Sequence, residues 1–111
     1  MSSRARVLVW HRGDDPGAVV RAYAEVSGEL ARIDGLEGTE LLFGVSGGDG
    51  IVLQMFFSDM EAFRRWERSP RHRAATSPMR RYQDRSRPGG HYEIYEVPEF
   101  DAGESEGRQC R

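Results

Sequence analysis

The sequence contains no lysine, so arginine supplies all 16 of its basic residues. Acidic residues number 18 and the formal net charge is -2. Arginine alone could serve bidentate contacts with anions, but the codon usage of a GC-rich genome explains this composition better. The arginines alternate with acids, as they do on a solvated surface. A nucleic-acid-binding domain is usually basic overall, so we expect no nucleic-acid partner.

The chain also lacks long apolar runs and has little cysteine. Nothing approaches the run of about 18 apolar residues that a membrane-spanning helix needs. The start of the chain has no apolar segment followed by a small-residue cleavage site, so we expect no secretory signal. Cys110 is the single cysteine and can form no internal disulfide, which suits a reducing compartment. These features predict a cytoplasmic protein without membrane contact.

The first half of the chain has the pattern of a strand followed by a helix. Residues 5 to 12 alternate as in a strand and place His11 on the same side as Val9. Asp15 is then expected to cap a helix that begins at the following proline. Its apolar stripe has steps of three and four residues: Val19, Tyr23, Val26, Leu30 and Ile33. The helix is expected to stop near "DGLEG", where Gly35 can form its left-handed cap.

The second half predicts two strands, a broken helix and a last strand. Residues 39 to 46 and 51 to 57 are strand-like and are joined by "GGDG", a hairpin signal. The helix is expected to open at Ser58, where "SDME" has the pattern of a capping box. Serine-proline pairs at 69–70 and 77–78 are expected to break it between residues 59 and 83. The last strand is predicted at residues 91 to 97.

The order β-α-β-β-α-β is that of the ferredoxin-like α+β fold, which has an antiparallel sheet. We expect one domain over residues 5 to 98, followed by a polar, disordered tail at 99 to 111. The strands are apolar on both faces, although a half-solvated antiparallel sheet would carry polar residues on one of them. The second apolar face therefore predicts a homodimer that forms through the sheet.

Three residues carry the chemistry that the sequence suggests. His11 should point toward the core or a pocket, either as a base or as a buried histidine with a structural hydrogen bond. His72 lies among arginines and is either an exposed residue or a second base, because its ordinary pKa suits proton transfer near neutral pH. Trp66 is expected on the helix face that meets the sheet, as a core aromatic, as a pocket wall or as both.

Four more aromatic residues complete the predicted substrate-binding set around Trp66: Phe63, Tyr23, Phe43 and Tyr82. The two tyrosines are core aromatics by position, with hydroxyls that could reach a pocket. No group of histidine, cysteine and carboxylate residues has the spacing of metal ligands, so no metal is expected. The "GVSGGDG" segment joins two strands and has no Walker lysine, which favours a hairpin over a phosphate loop.

The chain resembles the antibiotic biosynthesis monooxygenase (ABM) family of dimeric α/β-barrel proteins. The resemblance covers about residues 5 to 97 and rests on the element order, "VLQMFFSDMEAFRRW", the "SPRH" that follows and the closing "HYEIYEV". It implies a ferredoxin-like protomer that dimerises through its sheet and has a small pocket between sheet and helices. Members include quinone-forming oxygenases, haem-degrading enzymes and proteins with no demonstrated activity, so the fold does not settle the function.

The polar residues of the two enzymatic branches are largely replaced in this sequence. The quinone-forming branch has Asn, Trp and Tyr at positions that correspond here to Leu53, Phe57 and Phe63, so its mechanism does not transfer directly. The haem-degrading branch has a tryptophan that Trp66 matches, but its histidine ligand corresponds to Thr76. Its asparagine falls near Trp10 or His11. Haem is therefore disfavoured, and we expect no cofactor.

The resulting prediction is a small ABM-type monooxygenase that oxidises a planar, polyketide-like aromatic intermediate with O2 in natural-product biosynthesis. His11 or His72 would generate a substrate carbanion or phenolate that reduces oxygen itself. Two alternatives stay open. The same fold and base could serve a polyketide cyclase or isomerase, or the protein could be a non-catalytic ligand-binding or accessory protein.

Overall fold

The structure is a computed structural model that describes residues 3–46 and 50–98 of the 111-residue chain. It contains β1 (Arg4–His11), α1 (Pro16–Leu30), β2 (Leu36–Phe43), β3 (Ile51–Phe57), α2 (Met60–Arg68), α3 (Arg71–Arg80) and β4 (Tyr92–Val97). The strands form one antiparallel sheet in the order β2-β3-β1-β4. This is the predicted ferredoxin-like α+β fold. The predicted tail at 99–111 lies outside the described residues.

Strand register divides the sheet into two faces. Val7 pairs with Met55 and Val9 with Leu53, and these directly opposed side chains lie on the same face. This inner face packs against the helices, and it carries buried residues from β1 and β3 in alternation. The residues between them, such as Leu8, lie on the opposite, outer face. His11 lies on the inner face, as its place in the alternation predicted.

Aromatic side chains join the inner face to α2. Phe57 is 0% exposed and contacts Phe63 edge to face, with ring centroids 5.5 Å apart. Trp66 lies 5.7 Å from Phe57, measured between ring centroids. Burying an aromatic side chain of this size contributes about 1.5 to 3 kcal/mol. The contact between helix and sheet therefore depends strongly on these three rings, and it fixes Trp66 beside the core.

The start of α1 follows the sequence prediction, but the helix ends at Leu30 with Ala31 as its C-cap, four residues before the predicted cap at Gly35 in the turn before β2. The Asp15 carboxylate accepts a hydrogen bond from the Ala18 amide at 3.2 Å, so it caps the helix. Gly35 has a positive φ of 86°, the left-handed conformation that glycine adopts without strain. A Cβ atom at Gly35 would lie 2.4 Å from the Cβ of Ala62. Glycine therefore also allows this turn to approach α2 closely.

The second helix begins one residue later than predicted. Asp59 is its N-cap and accepts a hydrogen bond from the Ala62 amide at 2.7 Å. The predicted capping box at Ser58 is wrong because the Ser58 amide donates to the carbonyl of Gly35 at 2.8 Å. The Glu61 carboxylate therefore has no free amide to reach at that position. A tertiary contact has replaced the local one.

The broken helix is confirmed at the first serine-proline pair and is wrong at the second. Ser69 is extended, with φ -75° and ψ 142°, and separates α2 from α3. Pro78 instead lies inside α3. A proline there removes one amide donor in the last turn, while the neighbouring Met79 is 1% exposed and belongs to the core. Burial of this turn outweighs the cost of the proline.

The outer face carries an apolar surface that the helices do not cover. It includes Leu8, Trp10, Leu42, Val52, Phe56 and Tyr95. Leu42 and Tyr95 are 38% and 50% exposed. None of the helices in the described ranges is both long and apolar enough to cross a membrane.

Candidate functional site

A cavity of about 290 Å³ lies between the inner face and the second and third helices. Its apolar wall consists of Val7, Val9, Leu53, Met55, Phe63 and Trp66. Its volume is at the lower end of the range of about 300 to 1,000 Å³ that is usual for small-molecule sites. An apolar wall with a few polar groups is the usual composition of such a site.

His11 is the most deeply buried polar group in this cavity. Its side chain is 1% exposed, and its Nδ1 lies 2.9 Å from the carbonyl oxygen of Val9. A carbonyl can only accept, so the neutral ring carries its proton on Nδ1. The Nε2 atom is buried and has no hydrogen-bond partner within the described residues. Such an atom is an acceptor for a proton of a ligand.

The environment of His11 favours its neutral form. Burial lowers the pKa of His11 below its ordinary value of 6.5, and the nearby His91 lowers it further. The carbonyls of Val9 and Ile51 oppose this shift, although the Ile51 carbonyl makes no hydrogen bond of ordinary geometry with Nε2. At neutral pH the ring is therefore unprotonated and can act as a base.

Phe63 and Trp66 form the aromatic side of the cavity. Phe63 is 2% exposed, and the two ring centroids are 6.4 Å apart. Trp66 also lines a second cavity of about 290 Å³, on the side of Ile33 and the C-terminal end of α2. Its indole therefore separates the two cavities. It is both a core aromatic and a cavity wall, the combination that the sequence left open.

Polar and charged side chains lie on the remaining sides of the cavity. Besides His11, they are Glu67, Thr76, Arg80, Gln83, Arg85, His91 and Tyr92. Gln83 is 8% exposed and its side-chain oxygen accepts a hydrogen bond from Arg85 Nη2 at 2.8 Å. Burial, followed by the positive charges of Arg85 and Arg80, lowers the pKa of His91 below 6.5. The polar sides therefore combine hydrogen-bond donors with net positive charge.

The structure does not bring all the predicted site residues to this cavity. The Tyr23 hydroxyl lies 2.6 Å from Thr39 Oγ1, so its polar end is engaged between α1 and β2. Phe43 is 51% exposed at the end of β2. Tyr82 packs against the core, with the Arg81 guanidinium 6.0 Å from its ring centroid. None of the three lines the cavity, and their role as substrate contacts stays a prediction.

His72 belongs to α3 by its backbone, but its side chain lies outside the described residues. The prediction that it shares a pocket with His11 therefore stays a prediction.

Sequence reasoning missed the contribution of the segment that joins α3 to β4. The Trp10 amide donates to the carbonyl of His91 at 2.6 Å, and the Asp84 amide donates to the carbonyl of Trp10 at 2.9 Å. Gln83 forms an isolated bridge with His11. These contacts hold an irregular segment beside the end of β1. Alternation can assign a face only within a strand, so the sequence held no signal for this placement.

No group of three or more histidine, cysteine and carboxylate side chains in the two described ranges could hold a metal ion.

An α+β fold with a cavity between one sheet face and the helices agrees with the family to which the sequence belongs. The chain is a member of the antibiotic biosynthesis monooxygenase (ABM) family, whose model matches residues 5–77. No curated protein is similar enough in sequence to match the chain.

Several solved structures share the fold. SnoaB, a cofactor-independent oxygenase from Streptomyces nogalater, is 16% identical, with a TM-score of 0.67 over 90% of this chain and 97% of its own. A haem-degrading protein from Mycobacterium tuberculosis is also 16% identical, with a TM-score of 0.58 over 85% and 93% of the two chains. A dimeric ferredoxin-like protein of unknown function from Bacteroides fragilis is 18% identical, with a TM-score of 0.59 over 85% and 96%. At these identities the similarity shows the fold alone.

Proposed function

We propose that this protein is an ABM-type monooxygenase that oxidises a planar, polyketide-like aromatic compound with O2 and without a cofactor. We place the reaction in natural-product biosynthesis, as the family resemblance implies, and in the cytoplasm, because the single cysteine suits a reducing compartment. Membership of the ABM family supports the general reaction type, and the cofactor-independent oxygenase SnoaB has the same fold. The choice of substrate class and of residues rests on the cavity.

The observation that carries this proposal is the state of His11. Its Nε2 atom is buried, lacks a hydrogen-bond partner in the described part of the chain and lines a cavity with an aromatic wall. An unpaired buried polar atom costs about 1 to 3 kcal/mol. A substrate proton aimed at Nε2 would remove this cost. A purely structural histidine would be expected to use both ring nitrogens.

The chemistry follows from a flat substrate held against Trp66 and Phe63. His11 Nε2 removes a proton from an acidic C–H or O–H group, which leaves a carbanion or phenolate. This electron-rich anion transfers an electron to O2, and the two radicals combine to form a peroxide. For a methylene carbon, cleavage of the O–O bond and loss of the second hydrogen give a ketone and water. Protonated His11 supplies the proton for water, so the base is regenerated.

Oxygen uptake with an anthrone tests this proposal. We expect wild-type protein to consume one O2 for each quinone formed, and His11→Gln to lower kcat by about 100-fold or more, the usual range for a general base. His72→Gln is the parallel measurement, and a loss in that variant instead would move the base to His72. Circular dichroism should show that both variants are folded.

The alternatives give different results in the same experiment. Substrate conversion with oxygen uptake at the background rate would overturn the oxygenase and favour a cyclase or isomerase that uses the same base. Binding without any conversion would favour a ligand-binding or accessory protein. The burial of His11 in a cavity favours the catalytic proposals over the accessory one, because a histidine of an accessory surface would face solvent.

The proposal excludes haem as the reactive group. The position of the histidine ligand in the resemblance to haem-degrading proteins is Thr76, which is 8% exposed and lines the cavity. A hydroxyl is a poor substitute for an imidazole ligand of haem iron. We therefore expect a haem titration to leave the Soret band of free haem unshifted.

We also propose that the working form is a homodimer that pairs the outer faces of two sheets. The apolar side chains of this face support the pairing, and a dimeric protein of the same fold is known from Bacteroides fragilis. Exposed apolar patches of this kind usually mark an interface.

A further inference from the structure

The cavity holds two arginine side chains whose charges no acidic side chain balances. Arg80 and Arg85 both line it, and neither forms an ion pair with a carboxylate within residues 3–46 and 50–98. Glu67 is the one carboxylate on the cavity wall, and it is already paired with Arg64 at 3.1 Å. The described wall therefore has a net positive charge.

The backbone holds these cations on the same side of the cavity as His11. Arg80 is the last residue of α3, and backbone contacts join the segment that follows it to the end of β1. The Arg12 amide donates to the Tyr82 carbonyl at 2.8 Å, and the Asp84 amide donates to the Trp10 carbonyl at 2.9 Å. His11 and Gln83 form an isolated bridge. Gln83 then holds Arg85 through its side-chain oxygen. The position of Arg85 is therefore coupled to that of His11.

The positive charge of both arginines also acts on a third residue of the cavity wall. Arg85 and Arg80 both lower the pKa of His91, which lines the same cavity. Two guanidinium groups beside an apolar aromatic wall lack a counter-ion from the described chain. A bound anion would supply one, and the planar guanidinium fork matches a carboxylate in geometry and charge.

We infer that Arg80 and Arg85 bind a carboxylate on the substrate, so that the protein binds aromatic acids more tightly than neutral aromatics of the same shape. The inference rests on the proposed function for the reaction, but it concerns binding alone. In this arrangement the ring contacts Trp66 and Phe63, and the carboxylate points toward the segment after α3. The acidic C–H or O–H group then lies on the side of His11 Nε2.

Calorimetric titration without oxygen tests the inference with two probes of the same shape, anthraquinone-2-carboxylate and anthraquinone-2-carboxamide. We expect the carboxylate to bind about tenfold or more tightly than the amide, as for a charge-assisted hydrogen bond. Arg80→Gln and Arg85→Gln should each remove most of this preference and leave the amide affinity within about twofold. The preference should also decrease as NaCl is raised.

Arg81→Gln is the matched control. Arg81 follows Arg80 directly and is exposed, but its guanidinium lies over Tyr82 and does not line the cavity. The substitution removes the same charge, and we expect it to change the preference by less than about twofold. If Arg80→Gln does not fold, Arg80→Lys replaces it in the experiment. This variant keeps the charge but loses the planar guanidinium group, so it should retain only part of the preference for the carboxylate.

Several results would overturn the inference: equal affinity for the two probes, no binding of either probe, or an equal loss of preference in Arg81→Gln. The oxidation can fail separately. A preference for the carboxylate without oxygen uptake by any anthrone would leave the inference standing and reject the oxygenase. Oxygen uptake with a neutral anthrone, together with equal affinity for the carboxylate and the amide, would support the oxygenase and reject the inference.

Discussion

The two faces of the sheet use the same strands and differ in what covers them. On the inner face, Val7, Leu53, Met55 and Phe57 are at most 3% exposed. On the outer face, Leu42 and Tyr95 remain 38% and 50% exposed. Central-strand residues of the inner face thus lie in a closed core, and edge-strand residues of the outer face lie on an open apolar surface. Helices cover the inner face, and the outer face is the one that we propose pairs in a homodimer.

The two faces also differ in the proposals that they carry, a ligand site on the inner face and a dimer interface on the outer face. The inner face holds the cavity together with His11 Nε2, a buried polar atom that has no hydrogen-bond partner within the described residues. The outer face holds a polar cluster beside its apolar residues: Glu93 accepts from Tyr95 at 2.8 Å and from Arg87 at 3.3 Å, and Arg87 lies 4.0 Å over the Trp10 ring. An unsatisfied group suits ligand binding, and an ordered apolar and polar surface suits association.

The largest expected effect on the folding of a single chain comes from substitution at two adjacent phenylalanines of β3. Phe57→Ala should lower the free energy of unfolding by about 3 to 5 kcal/mol, because its ring is fully buried against Phe63 and Trp66. Phe56→Ala should cost about 1 kcal/mol in a monomeric background, chiefly through its contact with the Arg6 guanidinium at 4.7 Å. Urea unfolding measures both. Equal losses would show that the two faces are equally packed.

A charge on the outer face should disrupt the dimer. Leu8 lies in the central strand of this face, and Leu8→Asp would bury two carboxylates at the interface, at about 3 to 5 kcal/mol for each unpaired charge. We expect light scattering after size exclusion to give twice the mass of one chain for wild type and the mass of one chain for Leu8→Asp. Leu42→Asp provides a second test if Leu8→Asp does not fold.

Val20→Asp is the control for this measurement. Val20 is 42% exposed on α1, away from the sheet, so the variant should keep the wild-type mass. A monomeric wild type, or a dimer unaffected by both outer-face charges, would contradict the proposed assembly.

The smallest expected effect is a pH dependence of stability that differs between groups on the two faces of the sheet. The pKa of His11 is lowered by burial, so the unfolded chain takes up a proton below about pH 6.5 while the folded chain does not. Stability is therefore full above this pH and falls as the pH drops toward the folded pKa, with a slope of at most about 1.4 kcal/mol per pH unit for one proton. His91 contributes in the same direction, because its pKa is also lowered.

On the outer face, hydrogen bonding from Tyr95 lowers the pKa of Glu93 below 4.5, so its contribution is present above that pH and is lost only below it. His11→Gln should thus flatten the stability profile below about pH 6.5, and Glu93→Gln should not affect it just below that pH. Chemical denaturation at a series of pH values measures this. An unchanged slope in His11→Gln would show that the histidine is not buried in the neutral form.

Local patterns predicted the fold well because they concern neighbours in the chain. Alternation in β1 placed His11 and Leu8 on opposite faces, and the Asp15–Pro16 pair marked the start of α1. The same reasoning failed where a distant contact competed with a local one. The Ser58 amide donates a hydrogen bond to the Gly35 carbonyl, and Pro78 lies within a helix beside buried Met79.

By itself, the sequence determined the order of the elements, the two apolar faces and the burial of one histidine, because the periods of strands and helices are local properties. Only the tertiary structure decided which side chains share the cavity. Arg80, Gln83, Arg85 and His91 come from the end of α3 and the irregular segment before β4. Backbone hydrogen bonds to β1 bring that segment beside His11, and such long-range pairing leaves no periodic trace in the residues that make it.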